Sequence, residues 1–338
     1  MPINILGFSL QQLISLFEEN GLTKLDAKRV FPWLHKKCAP SFDSMSDVPL
    51  AARSILAQKF TLSRGDCIAL QKSKDGTEKA LLKFDDQACV ETVFIPDEDR
   101  NTICVSSQVG CAMGCKFCHT GTQGFTRNLT ASEIMAQILF WKDRYPISNI
   151  VFMGMGEPLL NHENLFTVLA LLLDEKLHNF SRHKITVSTC GIIEQQLQSL
   201  AKFGVKLAIS LHAPTDELRE KIMPINRKYK LSEIMPAVKQ YKSNSNTDFI
   251  TFEYLLLKDV NDSLECAKKL VTLFHGIPAK VNLIQYNDWP NSVFHRSEKS
   301  QADKFAMFLI KRGIRATIRK SRGDDILAAC GQLKHNSK

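Results

Sequence analysis

Three cysteines fall within eight residues in the run Cys111-Ala-Met-Gly-Cys115-Lys-Phe-Cys118. Thiols clustered this closely are ligands for a soft metal centre rather than core residues. Gly110 and Gly114 let the backbone wrap tightly around such a centre. Zinc is one candidate, although structural zinc sites usually pair two CxxC knuckles and no second pair is present. An iron–sulfur cluster is the other. A cubane cluster ordinarily takes four cysteines, so three leave one iron open to a ligand from outside the protein. His119 follows Cys118 directly, but a fourth protein ligand would close that position. The remaining seven cysteines are scattered, and a lone cysteine is more often a small buried hydrophobe than a reactive group.

The elements that must position these thiols read clearly. The chain has 338 residues, 44% hydrophobic and 23% charged, which excludes wholesale disorder and leaves room for about two domains. Apolar positions at helical spacing from about residue 8 to residue 62 predict a small helical domain over residues 1–66. Residues 67–98 shift to strand-rich runs around the turn Asp75-Gly76, a β connector. From residue 99 to 338, six apolar, β-branched runs alternate with helical stretches, which predicts an α/β catalytic domain with a parallel sheet. Such folds bind ligands beyond the carboxyl ends of their strands, so the residues after each run are where chemistry is expected.

No apolar run reaches the length of a membrane span, and the start lacks the features of a signal peptide, so a cytoplasmic, non-membrane protein is expected. Lys and Arg exceed Asp and Glu by nine, which favours an acidic partner such as nucleic acid. Cations concentrate between Lys24 and Lys59 and again in Lys311, Arg312, Arg315, Arg319, Lys320 and Arg322, where phosphate contact is the natural use and a solvated face the plain alternative.

The spacing of three residues and then two is the radical S-adenosylmethionine (SAM) pattern. The strings CVSSQVGCAMGCKFCHTGTQGFTRNLT, FMGMGEPLLN, VSTCGI, SLHAPTDELREKIMPIN and DDILAACGQL together resemble the radical SAM adenine methyltransferases of ribosomal and transfer RNA, the RlmN/Cfr family, over nearly the whole chain. GMGEPL is closer to the branch that methylates C2 of adenine than to the branch that methylates C8.

The resemblance implies a partial (β/α)6 TIM-like radical SAM barrel and a [4Fe-4S] cluster on Cys111, Cys115 and Cys118, with SAM on the open iron. It implies two uses of SAM. In the first, Cys330 takes a methyl group as a thiolate nucleophile. In the second, a deoxyadenosyl radical abstracts hydrogen from that S-methyl, and the methylene radical adds to adenine. Direct attack by the electrophilic C2 carbon on the SAM methyl is chemically implausible, so the cofactors carry the hard step. The resemblance assigns Cys104 as the thiol that resolves the protein–RNA adduct through a transient disulfide with Cys330, and Glu91 as the proton acceptor. It assigns SAM contacts to Gly156, Glu157, Ser188, Ser210, Leu211, His212 and Asn287, all at expected strand ends, with Glu157 facing the SAM ammonium.

The implied partners are 23S rRNA near the peptidyl transferase centre, tRNA at the purine after the anticodon, and a flavodoxin-type electron donor. The target adenine must leave its stack, which single-stranded loops permit cheaply. A monomer is the default. Two other readings stay open here: a C8 methyltransferase conferring antibiotic resistance, and a non-catalytic RNA-binding protein with structural zinc.

Overall fold

A computed structural model of the chain describes residues 2–245 and 248–334. Three helices open it: α1 (Leu10–Glu19), α2 (Lys24–His35) and α3 (Leu50–Lys59). Ser9 caps α1 and Thr23 caps α2, each in a reciprocal capping box with Gln12 and Asp26. Leu13, Phe17, Val30, Leu34 and Leu56 turn inward from these helices.

Ten strands form one sheet: β1 (Asp66–Lys72), β2 (Glu78–Lys83), β3 (Cys89–Asp97), β4 (Arg100–Cys104), β5 (Asn149–Phe152), β6 (Ile185–Thr189), β7 (Lys206–Ser210), β8 (Ile250–Leu256), β9 (Ala279–Gln285) and β10 (Arg315–Arg319). Their spatial order is their chain order. β1 to β4 pair antiparallel, and β4 to β10 pair parallel. β4 is therefore the pivot, with Val93 of β3 opposite Cys104 on one side and Val151 of β5 opposite it on the other. Helices alternate with the parallel strands, as their amphipathic faces require. Val187, Leu207, Ile209, Phe252, Tyr254, Val281 and Leu283 on the inner strands are almost inaccessible.

The six apolar runs expected as strands contribute β4 to β9. A seventh parallel strand, β10, lies where the sequence showed only a basic run. Arginines at its two ends and its alternating exposed and half-buried residues hide it from a hydrophobicity reading. The first run also breaks: after Cys104 the chain leaves the sheet, and Gln108–Gly110 pairs with Phe125–Asn128 in a separate two-stranded ribbon.

The antiparallel strands β2 and β3 are covered on both faces, while β1 at the sheet edge is exposed along its length. Helix α4 (Ala131–Lys142), begun by Thr130 in a capping box with Glu133, lies on one side, where the Trp141 indole donates to Thr92 and the Tyr145 hydroxyl to Glu78. On the other lies the segment from Ser321 to Lys334, joined to the strands by Ser73 donating to Asp325 and Lys79 donating to the carbonyl of Leu327. Among the described residues no helix is long and apolar enough to cross a membrane.

Candidate active site

The carboxyl ends of the parallel strands and the C-terminal segment enclose a cavity of about 220 Å³. Cys111, Cys115, Cys118, Cys104 and Cys330 all line it, as do Gly156, Glu157, Ser188, Ser210, His212 and Asn287. Residues spread over more than two hundred positions thus converge on one space. Two expected residues do not reach it. Leu211 is wholly buried and contributes backbone, its N–H donating to the carbonyl of Glu253. Glu91 is buried beside the C-terminal segment and is not part of the cavity wall.

The three clustered cysteines sit on the loop between the strands of the ribbon. The Cys111 amide donates to the carbonyl of Gly124 at 2.7 Å, and the Lys116 amide to that of Ile222 at 2.9 Å. Gly110 has φ +75°, and a Cβ there would lie 1.9 Å from the oxygen of Gly124, so no other residue fits the turn. Burial raises all three thiols, Cys111 to about 12, and repulsion among them adds to the rise at Cys111 and Cys115. Three thiols held neutral by burial become thiolates only when a cation compensates them. Among the described residues no three Cys, His, Asp or Glu side chains are arranged to hold a metal ion. Three thiols lining one cavity are the donor set of a soft metal centre such as an iron–sulfur cluster.

Cys104 and Cys330 carry free thiols. Cys104 is buried, which pushes its thiol up to about 12, and the nearness of Cys330 adds to the rise; Cys330 itself is exposed. Arg319, at the end of β10, pulls in the opposite direction on each.

The segment bearing Cys330 is fastened to the cysteine loop. Thr120 Oγ1 donates to the carbonyl of Leu333, and His119 Nδ1 lies 3.2 Å from that of Gln332. The His119 ring stacks on Trp289 with centroids 4.7 Å apart, and the Trp289 indole donates to the carbonyl of Phe117 at 3.0 Å. His119 is thus committed to the tail, with Trp289 clamping it from the side.

Glu157 lies between two loops. Its Oε1 accepts the Leu159 amide at 3.1 Å and its Oε2 the Cys190 amide at 2.7 Å, and burial raises its carboxyl above the usual range. Side-chain hydrogen bonds from Cys190 and Thr189 to the carboxylate act against that rise. Gly156 presses against Gln108, whose side chain accepts the Glu157 amide at 2.9 Å. Ser188 and Ser210 face each other at 3.4 Å. The Asn287 carbonyl accepts from Ser321, leaving its amide free to donate. His212 stays neutral, held at about 3 by burial and by Arg219. Its Nδ1 accepts the Leu255 amide at 3.0 Å, which leaves Nε2–H as the donor.

Sequence reasoning missed two buried charges here. Arg219 is fully inaccessible and donates to the carbonyls of Cys190, Ser210 and Leu211 and to Asn226, pinning the loops after β6 and β7. Its place in a helical, charged stretch, DELREK, gave no signal of burial. Glu253 on β8 lines the cavity, accepts from Asn282 at 2.9 Å and lies 3.8 Å from Arg319. Cys190, read as structural, serves through its backbone.

The C-terminal cations divide. Arg319, Lys320 and Arg322 line the cavity, Arg322 pairing with Asp97 at 3.2 Å. Arg312 lies over the Phe308 ring and Arg315 over Phe249, at the opposite end of the strand.

Known proteins match this arrangement over its length. Residues 105–270 match the radical SAM superfamily, and residues 3–62 the ribosomal RNA large subunit methyltransferase N-terminal domain. The dual-specificity RNA methyltransferase RlmN of Rhizobium meliloti is 44% identical over 99% of this chain and 88% of its own. That of Rhodospirillum rubrum is 44% identical over 99% and 81%. The crystal structure of a radical SAM methyltransferase from Sphaerobacter thermophilus superposes with a TM-score of 0.92 at 39% identity, covering 98% of this chain and 99% of that one.

Proposed function

The chain belongs to the RlmN family of radical SAM RNA methyltransferases, and from that premise we propose that it methylates C2 of adenine in 23S rRNA and in tRNA through a methyl group carried on Cys330. The observation that carries the reading is the meeting of Cys104, Cys330 and the three-cysteine loop in one cavity.

Cys111, Cys115 and Cys118 would hold a [4Fe-4S] cluster, and the strand-end groups from Gly156 to Asn287 would hold SAM. When bound, the pair would supply a methyl group to the Cys330 thiol, then the hydrogen abstraction that activates it, and would take back the odd electron left on the adduct after addition to C2. The protein's own groups do the rest. Cys330 presents its sulfur in the cavity and becomes covalently joined to C2 of the flipped adenine through a methylene. Glu91 accepts the proton from C2. Cys104 attacks the Cys330 sulfur, so that an S–S bond forms as the S–CH2 bond breaks, and its electron pair with a proton completes the new methyl group. Arg319, Lys320 and Arg322 meet the RNA backbone at the cavity mouth. A formal net charge of +9 suits both RNA and an acidic, flavodoxin-type electron donor. The enzyme would act as a monomer in the cytoplasm.

The test is nucleoside mass spectrometry after anaerobic incubation of cluster-loaded protein with SAM, reductant and unmodified 23S rRNA, run against 2-methyl- and 8-methyladenosine standards. The C2 product is expected. A C8 product, or no methylated adenine from protein with an intact cluster, overturns it. Cys330→Ala should give no product at normal iron content, and Cys104→Ala should accumulate a protein–RNA adduct.

A further inference from the structure

One buried cation stands on the sheet face behind the cavity with no part in the scheme above. Lys79 of β2 is opposite Val93 of β3, and Val93 is opposite Cys104 of β4. A single cross-strand row therefore carries Lys79 and Cys104 on a common face, and Glu91, two residues before Val93, shares it. Lys79 Nζ lies 2.8 Å from Glu91 Oε1, with side chains only 9% and 7% exposed. The same ammonium donates to the carbonyl of Leu327 at 3.2 Å, three residues before Cys330. Glu91 Oε2 accepts the amide of Lys334 at 2.8 Å, four residues after it. The ion pair thus holds the Cys330 segment on both sides.

Burying a lysine and a glutamate strips both of water, and an apolar pair of the same volume would stabilise a fold at least as well. A requirement for a charged carboxylate at that point accounts for keeping them. Resting on the reading of Glu91 as proton acceptor, we propose that Lys79 is a positioning residue for the release step. Its ammonium supplies the counter-charge that lets a buried carboxylate accept the C2 proton, and it fixes that carboxylate relative to Cys330. Methyl transfer to Cys330 releases the thiol's own proton and none from C2 of adenine, so that half of the cycle does not draw on the Glu91 carboxylate. Proton removal from C2 comes after the adduct has formed, so its failure leaves the adduct behind.

The experiment compares cluster-loaded wild type with Lys79→Met, Lys79→Arg, Glu91→Gln and the double variant. Cys330 methylation is read by intact mass with SAM alone. Protein–RNA adduct and methylated adenine are read after adding reductant and a 23S rRNA fragment. Lys79→Met is expected to methylate Cys330 as fully as wild type, to form adduct, and to release it on the order of tenfold to hundredfold more slowly. Lys79→Arg should recover most of the release rate. The double variant should release no more slowly than Glu91→Gln alone, since both residues act through one carboxylate. It also removes both buried charges together, which keeps the question decidable if Lys79→Met fails to fold.

Release at the wild-type rate by Lys79→Met, loss of Cys330 methylation in step with product, or additive slowing in the double variant overturns the proposal. Normal turnover by Glu91→Gln removes the base itself and the proposal with it. An adduct trapped by Glu91→Gln beside normal release from Lys79→Met removes Lys79 alone.

Discussion

The amide of His119 donates to the carbonyl of Gly331 at 2.7 Å. One residue follows the last clustered cysteine and the other follows Cys330, so this bond sets the distance between the three-cysteine loop and Cys330. Trp289 reinforces it from the side, stacked on His119 and bonded to Phe117.

Trp289→Ala should therefore uncouple the two centres without emptying either. The expected result is unchanged iron content and a slowing of Cys330 methylation by about tenfold, as a misplaced thiol loses its alignment. Trp289→Phe, which keeps the stack and loses the donor, should fall between. Iron assay and intact mass after timed SAM addition decide it; equal methylation rates in all three proteins would show that the clamp has no part in alignment.

Arg219→Met should be severely destabilising. It takes the Arg219 donors from the buried carbonyls of Cys190 and Ser210, at about 1–3 kcal/mol each, while the Leu211 carbonyl keeps the Ala213 amide. Arg219→Lys should recover little, because a single ammonium cannot span three carbonyls and Asn226. The urea midpoint of each variant and its SAM binding by equilibrium dialysis measure this, and a midpoint within error of wild type for either variant contradicts it.

Acid should weaken the fold through three histidines. Burial holds His35 at about 4 and His178 and His212 at about 3, below the ordinary 6.5. Below pH 6.5 the unfolded chain binds protons that the folded chain refuses, so stability falls as pH falls, by about 1.4 kcal/mol per unit for each histidine until its folded value is reached. Thermal midpoints from pH 7.5 to 5 should drop below 6.5, and less steeply in His35→Asn. A flat profile would contradict the burial argument.

The split basic run predicts unequal effects on RNA. Lys320→Ala, at the cavity, should weaken binding of a 23S rRNA fragment and reduce the salt slope by about one. Lys311→Ala, at the far end of the strand, should change neither. Fluorescence anisotropy across a salt series measures both, and equal losses would place the RNA along the whole run.

The cysteine loop and the strand-end site were legible in the sequence because motif spacing and strand periodicity are local. The residues that act across the fold were not. Arg219 sits in a stretch that reads as a solvated helix, and only the carbonyls converging on it explain its burial. β10 was obscured because two of its five residues are arginines. Lys79 follows Glu78 in a half-polar strand, and nothing local distinguishes a lysine with a buried partner from one in water. The clamp of Trp289 joins positions 172 residues apart, beyond the reach of any periodicity.

The pivot strand has a consequence for how the enzyme is made. β1 to β4 are joined by short turns, whereas β4 meets β5 only after residues 105–148 have been placed. Hairpin contacts form in microseconds and long-range parallel pairing far more slowly. The register that sets Lys79, Glu91 and Cys104 on one face is thus fixed by local folding, before the cavity exists. Cys330, far along the chain, docks onto a row of Lys79, Glu91 and Cys104 already in register. A chain that stalls between these stages has Glu91 and Cys104 in register but Cys330 not yet beside them.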